Sequence, residues 1–308
     1  MMQWLHNALT QSWVYAKMIG VILLAGLILE ALRPAERGQP RANIAFNIGY
    51  IAFLIPFNTL LMPAVMGLMQ PIVQRYGLHI PIAFPDATGW QILQTLVFFF
   101  IHDFFYYWFH RGQHTLAFAW PQHKLHHSER SVNVTTTLRH HWLEDPIRAW
   151  VILLPMGLLF DQKPVTIGWL AMAANLFGYF VHLNVRLPLG QMTPLIAGPQ
   201  WHRLHHSIEP QHTDRNFAAF FPIFDILFGT YAKPGRDEYP ATGLHSGESL
   251  NSSLLAILSP FRDWYRMFRR DRPPALAQDE QGAVNESVDE DGDSAGQQDE
   301  RQEHRDTL

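Results

Sequence analysis

The sequence HRGQHTLAFAWPQHKLHHS, residues 110–128, contains five histidines in two regular spacings. It begins with an HxxxH motif, residues 110–114, and reaches an HxxHH motif at residues 123–127. A second HxxHH motif lies in WHRLHHS, residues 201–207. On an α-helix, residues i, i+3 and i+4 project from the same face. The spacing therefore predicts that each motif directs its imidazoles to one side, and that the eight histidines together form a metal-binding cage.

Composition narrows the kind of metal site. The chain has 17 histidines and no cysteine among 308 residues, which excludes iron–sulfur clusters, thiolate-bound haem and cysteine-ligated zinc. One HxxHH motif is expected by chance only roughly 0.05 times in a chain of this composition, so two copies are not accidental. Eight nitrogens exceed the roughly four to six ligands that one metal ion takes. The sequence therefore predicts two metal ions.

Three apolar runs come before the histidine motifs, at Trp13–Leu32, Ile44–Met69 and Trp90–Phe109. A helix of about 20 apolar residues crosses the hydrocarbon core of a bilayer, so each run predicts a transmembrane segment. The second run contains Pro56 and Pro63, and is either one kinked span or two half-helices of a re-entrant pair.

Two further runs, Ala149–Phe160 and Val165–Val181, flank the short sequence DQKP. The first is too short for a full span, so the pair predicts a helical hairpin that enters the membrane and returns. Basic residues concentrate in segments 33–41 and 111–148, which predicts that both segments are cytoplasmic and that the N-terminus is outside. The predicted fold is an all-α, multi-span membrane helical bundle with a cytosol-facing, histidine-caged site for two metals.

The sequence divides into four predicted segments. These are N-terminal transmembrane helices over 1–89, a catalytic domain over 90–235, a peripheral segment over 236–274 and a disordered acidic tail over 275–308. The formal net charge of −4 hides this division, because residues 279–308 contain eleven acidic residues and two arginines. Such a tail buries too little apolar surface to fold, and we interpret it as solubilising. Nothing in the sequence predicts binding to nucleic acid.

The chemistry of the metals decides between functions. Imidazole suits both zinc and iron, but catalytic zinc needs only three protein ligands and usually includes a carboxylate or a cysteine. A pair of irons beside a membrane favours O₂-dependent attack on a C–H bond of a lipid. Two alternatives stay open: a zinc-dependent membrane hydrolase, and a non-enzymatic metal-handling membrane protein.

The three histidine motifs, with RxHxxE between them at Arg139, His141 and Glu144, resemble the fatty acid hydroxylase/sterol desaturase superfamily of integral-membrane di-iron oxygenases. The resemblance runs from about Phe98 to Tyr231. His182, in FVHLNVRLP, corresponds to an additional histidine of that family. The ligands that the resemblance implies are His110, His114, His123, His126, His127, His182, His202, His205 and His206.

The resemblance also implies the reaction. Two iron ions would use O₂ and two electrons from an external donor to hydroxylate or desaturate a lipid. The sequence contains neither an HPGG-type haem segment nor a GxGxxG motif, so we expect a separate ferredoxin-like or cytochrome b5-like partner. The lipid itself stays open among fatty acyl chain, sterol, ether lipid and carotenoid, as does the oligomeric state.

Several polar residues near the motifs are candidates for contacts with the ligands. Asp103 lies about two helical turns before His110, where it would either orient a ligand imidazole or join two helices. His141 matches the RxHxxE motif, although Trp142 replaces the proline usual in that family. We predict His141 as a ligand or as a hydrogen-bond partner of one, and the partner role also for Glu144, Asp214 and Asn216.

Overall fold

The protein is mostly helical. The structure, a computed structural model, describes residues 2–81, 85, 87–161 and 164–269. The predicted acidic tail over 275–308 lies outside these residues. The α-helices are α1 Met2–Leu32, α2 Arg41–Tyr76, α3 Thr88–Thr115, α4 Trp120–His127, α5 Glu144–Arg148, α6 Leu154–Leu159, α7 Pro164–Val181, α8 Pro199–His205, α9 Ile223–Leu227 and α10 Ser253–Phe268. A π-helix, Ala149–Leu153, joins α5 to α6, 3₁₀ helices lie at Val134–Leu138, Gly190–Met192 and Pro210–His212, and two short strands are β1 Ile80–Pro81 and β2 Phe160–Asp161.

Three helices are long and apolar enough to cross a membrane, and they match the three long apolar runs. They cover His6–Leu32, Arg41–Tyr76 and Thr88–Thr115. The second run is one helix, with Pro56, Pro63 and Pro71 inside it, so the alternative of two half-helices is wrong. Most of their surface is not buried within the protein, as expected for helices whose side chains face lipid.

The predicted hairpin reaches further than its apolar run suggests. Helical backbone extends from Glu144 through the π-helix to Leu159, and the chain returns along α7. At the tip, β2 pairs in parallel with β1, with Ile80 opposite Phe160. Because β1 belongs to the connection between α2 and α3, the hairpin ends level with that connection. The expected shallow entry was wrong because the helix begins at Glu144, in a polar segment that an apolar run does not include.

Buried polar contacts gather the other helix ends around the histidine motifs. The Glu30 carboxylate, at the end of α1, accepts from the backbone N–H of Val134 at 2.7 Å and of Asn184 at 2.9 Å. At the start of α2, Asn47 donates to Glu129 at 2.9 Å. We call this end of the molecule, where α1 finishes, α2 begins and α3 finishes, the histidine end.

Arg139 of the RxHxxE motif is fully buried at the histidine end. Its guanidinium donates to the backbone carbonyl of Leu125 at 3.0 Å, and to Asn47, Ser128 and Asn251, each at 2.8 Å. One side chain therefore connects α2, α4 and the segment before α10. An arginine suits this position because its planar group offers five donors in a fixed geometry.

Candidate metal centre

Three helices present the histidine motifs. The last turns of α3 carry His110 and His114, α4 carries the first HxxHH, and α8 with the residue after it carries the second. Both short helices have proline in the first turn, where its missing N–H costs nothing. The nine histidines named above are all buried, with no more than 6% of any of them exposed.

The side chains form two clusters rather than one. Cluster 1 contains one ligand atom from each of five histidines, all within 4.8 Å of one another. Cluster 2 contains four histidines under the same limit. The members of cluster 1 are His110, His114, His123, His127 and His205, and those of cluster 2 are His126, His182, His202 and His206.

Each HxxHH motif is shared between the clusters. In α4 the i and i+4 histidines join cluster 1, and His126 at i+3 joins cluster 2. In the second motif the i and i+4 histidines join cluster 2, and His205 at i+3 joins cluster 1. The expectation that all three imidazoles point one way was therefore wrong. Positions i+3 and i+4 lie about 100° apart around a helix, which is enough to direct them into adjoining clusters.

The clusters share a wall. The His127 ring of cluster 1 stacks on the His206 ring of cluster 2, with centroids 4.5 Å apart and planes 22° apart. His205 and His202 make a second stacked contact across the boundary, at 5.3 Å. Two metal ions held in these clusters would be near neighbours.

Backbone carbonyls fix the orientation of three imidazoles. His110 Nδ1 lies 2.7 Å from the Phe217 oxygen, His182 Nδ1 2.7 Å from the Gly178 oxygen, and His205 Nδ1 2.8 Å from the Arg215 oxygen. A carbonyl oxygen only accepts, so each Nδ1 carries the proton and donates it. The Nε2 atom of a neutral ring then has a free lone pair.

These lone pairs point at other imidazole nitrogens. His182 Nε2 lies 3.0 Å from His202 Nε2 and 3.2 Å from His126 Nε2, and His202 Nε2 lies 3.2 Å from His206 Nε2. In cluster 1, His110 Nε2 lies 3.1 Å from His123 Nε2. One N–H can satisfy only one such contact, whereas a cation between the nitrogens would satisfy all of them. The donor set therefore fits a bound transition metal.

Protonation does not compete with metal binding here. Burial lowers the pKa of His182 to about 3, although its bond to the Gly178 carbonyl opposes the shift. Burial likewise lowers the pKa of His123 to about 4, against the effect of the nearby Glu144 carboxylate. Both rings are neutral at pH 7, the form in which imidazole binds a metal.

Carboxylates support cluster 1 from outside. Glu144 lies 3.3 Å from His123 Nδ1 and 3.0 Å from His140 Nδ1. Burial opposes the charge on Glu144, but these two histidines hold its pKa well below the usual value. Asp214 lies 3.4 Å from His114 Nδ1. Glu144 and Asp214 are therefore where partners of ligand imidazoles were expected, and such carboxylates increase ligand basicity.

The sequence analysis chose the wrong member of the His140–His141 pair. His141 faces α10, where its Nε2 lies 2.9 Å from the Ile257 oxygen. His140 instead stacks on His126, with centroids 4.3 Å apart and planes 15° apart. His140, His123 and Glu144 also form a third group that could hold a metal ion. The one available sequence signal was the spacing of four residues from His140 to Glu144.

Asp103 and Asn216 act on the backbone rather than on a ligand ring. Asp103 accepts hydrogen bonds from the backbone N–H groups of Ala219, Phe220 and Phe221, at 2.7–3.1 Å. Asn216 has a left-handed backbone, with φ of 64°, and its side chain bonds the backbone of Trp201 and Ala232. The prediction of direct contact with a ligand was wrong for both, since each one fixes the segment that carries Phe217.

Phe217 completes the wall of cluster 1. Its ring centroid lies 5.6 Å from that of His110, 5.1 Å from His114 and 5.9 Å from His205. Its backbone oxygen also fixes His110. The aromatic segment that follows the second HxxHH thus packs against the cage, which is one of the two positions expected for it.

A helical bundle with three candidate membrane-crossing helices and buried histidine clusters at one end defines a class of membrane protein with a histidine-lined metal site. Residues 95–230 match the sequence model of the fatty acid hydroxylase family, and this part of the chain belongs to that family. The matched segment contains all nine histidines of the two clusters and lies within the predicted catalytic domain.

Curated relatives fall in the same superfamily. Alkylglycerol monooxygenase of Danio rerio is 33% identical over 131 residues, which are 42% of this chain and 28% of that protein. Ornithine lipid hydroxylase OlsE of Rhizobium tropici is 27% identical over 257 residues, 80% of this chain and 74% of that protein. Methylsterol monooxygenase 1-3 of Arabidopsis thaliana is 27% identical over 173 residues, 54% and 58% of the two chains. The chain thus spans under a third of the alkylglycerol monooxygenase. No solved structure matches the chain.

Proposed function

We propose that this protein is a membrane-bound di-iron oxygenase that hydroxylates a membrane lipid. The observation that carries the proposal is the pair of adjoining clusters, with imidazole lone pairs converging at the end of three membrane helices. The relatives support it, since those named above are monooxygenases or hydroxylases. Hydroxylation is preferred to desaturation on the strength of those names.

The nine histidines of the two clusters would hold the iron ions. Iron bound there would supply the oxidation of an unactivated C–H bond. The overall reaction converts one C–H bond, one O₂, two electrons and two protons into one C–OH group and one water. The electrons would come from a separate ferredoxin-like or cytochrome b5-like protein. We place the histidine end on the cytoplasmic side, in accord with the basic residues of segments 33–41 and 111–148.

The protein's own residues prepare this chemistry. The carbonyls of Phe217, Gly178 and Arg215 hold three protons on Nδ1 atoms and so keep the Nε2 atoms free. Glu144 and Asp214 orient further rings of cluster 1. Complete burial of the clusters excludes bulk water, which protects a strong oxidant from side reactions. A lipid chain would approach from the bilayer, between the helices that carry the cage.

Lipid analysis of the intact membrane tests the proposal. Cells that express the protein should accumulate lipids heavier by one oxygen, and cells that express His126→Ala should not. Replacement of the exposed His6, far from the clusters, is the matched control and should leave the product unchanged. Protein purified without oxygen should contain iron and take up O₂ when a reductant is added. Zinc without O₂ uptake would overturn the proposal in favour of a hydrolase.

A further inference from the structure

Helix α10 has two opposite faces. Its inner face carries Ala256, Ser259, Pro260 and Asp263, which are all buried. The Asp263 carboxylate accepts from Lys124 Nζ of α4 at 2.5 Å. This face therefore fixes α10 against the helix that carries the first HxxHH motif.

The outer face of α10 is apolar and exposed. Its residues follow one another at spacings of four, three, four and three, which places them in one stripe along a helix. The stripe is about 21 Å long at 1.5 Å per residue. Its exposed fractions are 68% for Leu254, 47% for Leu258, 41% for Phe261, 60% for Tyr265 and 82% for Phe268. A continuous apolar stripe of this kind marks a surface that contacts a partner or a membrane.

Aromatic contacts join this stripe to a membrane helix. The Phe261 ring lies 6.2 Å from Trp142, and Trp142 lies 5.3 Å from Phe57 of α2. Phe57 in turn contacts Phe53, at 5.5 Å, and Phe53 is 38% exposed. The outer face of α10 is thus continuous with the exposed apolar side of α2.

The length of α2 indicates where the membrane surface lies. Its 36 residues extend about 54 Å, well beyond a hydrocarbon core of about 30 Å. Its first turns are occupied at the histidine end, where Asn43 and Asn47 donate to Glu129. The bilayer therefore begins further along α2, near the level of Phe53 and Phe57, where the stripe of α10 meets it.

Arginines line one edge of the stripe. Arg266 and Arg269 are exposed, and the Arg269 guanidinium lies 5.4 Å from the Tyr265 ring centroid. Arg262, on the same side, pairs with Glu248 at 2.7 Å. Arginine beside an apolar helix face is typical of helices that lie in the membrane surface and contact lipid phosphates.

We propose that α10 lies in the plane of the membrane surface, with its apolar face in the acyl-chain boundary and Arg266 and Arg269 at the phosphates. The partner is thus the lipid bilayer rather than a second copy of this chain. Through Lys124, the same helix would fix α4, and with it three histidines of the cage, at a set depth above the lipid. The proposal depends on the membrane helices and not on the identity of the metal.

The absence of cysteine from the chain allows a direct test. Single-cysteine variants Leu258→Cys and Tyr265→Cys place an environment-sensitive NBD fluorophore on the apolar face. Arg266→Cys is the matched exposed control, on the edge of the same helix. The full chain is reconstituted into vesicles of phosphatidylcholine and phosphatidylglycerol. Each label is then quenched separately by aqueous iodide and by lipids that carry a spin label on the acyl chain.

We expect labels at 258 and 265 to lose most of their iodide quenching relative to 266 and to gain quenching by the spin-labelled lipid. Strong iodide quenching at both positions would place the face in water and overturn the proposal. Protection from both quenchers would overturn it as well, in favour of a protein partner such as a second copy. Both substitutions are on the exposed face, and thermal unfolding of each variant checks that the fold is retained.

Discussion

His182 Nε2 lies 3.0 Å from His202 Nε2, although the proton of His182 is held on the other nitrogen by the Gly178 carbonyl. His202 Nε2 is also 3.2 Å from His206 Nε2. Nitrogens in this arrangement are stabilised by a shared cation. His182 lies outside the three histidine motifs, so it gives a test of cluster 2 that does not depend on those motifs.

Replacement of His182 by alanine should empty cluster 2 and leave cluster 1 loaded. We expect the metal content to fall from two ions per chain toward one, because His182 is a quarter of the cluster 2 ligand set. Elemental analysis of protein purified from membranes measures this content. His6→Ala, at an exposed position, should retain two ions. An unchanged content in His182→Ala would remove His182 from the ligand set.

Replacement of Glu144 by glutamine should weaken cluster 1. The carboxylate lies next to both His123 and His140, and loss of such a partner costs on the order of 10–100-fold in metal affinity or activity. Competition with a chelator of known affinity measures the change. Glu209→Gln, at a carboxylate with 42% of its side chain exposed, is the control. Equal affinities in the two variants would contradict a supporting role for Glu144.

His140→Ala and His141→Ala should differ, although the residues are neighbours. His140 stacks on His126 and contacts Glu144, so its loss should reduce product formation and metal retention. His141 faces the Ile257 carbonyl, so its loss should lower thermal stability and leave turnover per bound metal near that of the parent. The RxHxxE motif makes the opposite prediction, and greater loss of turnover in His141→Ala would support the motif over the structure.

Replacement of Asp103 by asparagine should destabilise the protein. Asp103 accepts three backbone N–H groups in a buried position, and the amide NH₂ of asparagine would face one or more of them. Leaving a buried donor unsatisfied costs roughly 1–3 kcal/mol, which thermal unfolding in detergent would report as a lower Tm. Asp237→Asn, at an exposed position, should leave the Tm unchanged. An equal Tm for both variants would show that these three bonds contribute little.

The sequence predicts the long helices well because length and hydropathy decide them. The runs at residues 13–32, 44–69 and 90–109 all lie within α1, α2 and α3. The histidines that come together in the two clusters are the nine that motif and resemblance named, although their role as ligands stays a prediction. Local patterns were enough because each motif occupies a single short helix.

The remaining features depend on how distant segments pack. The division of each HxxHH between two clusters follows from the position of α8 opposite α4, which spacing alone does not set. Asp103 is committed to backbone groups more than 100 residues away, and the choice between His140 and His141 depends on where α10 lies. No periodicity in the sequence reports these contacts.

Growth under ¹⁸O₂ tests the central claim most directly. Membrane lipids are extracted from cells that express the intact chain, from cells with His126→Ala and from cells without the protein, and are analysed by mass spectrometry. We predict a lipid that contains one ¹⁸O atom from O₂ only in the cells with the intact chain. An identical set of lipids in all three, with the intact protein present in the membrane and loaded with iron, would contradict lipid oxygenation.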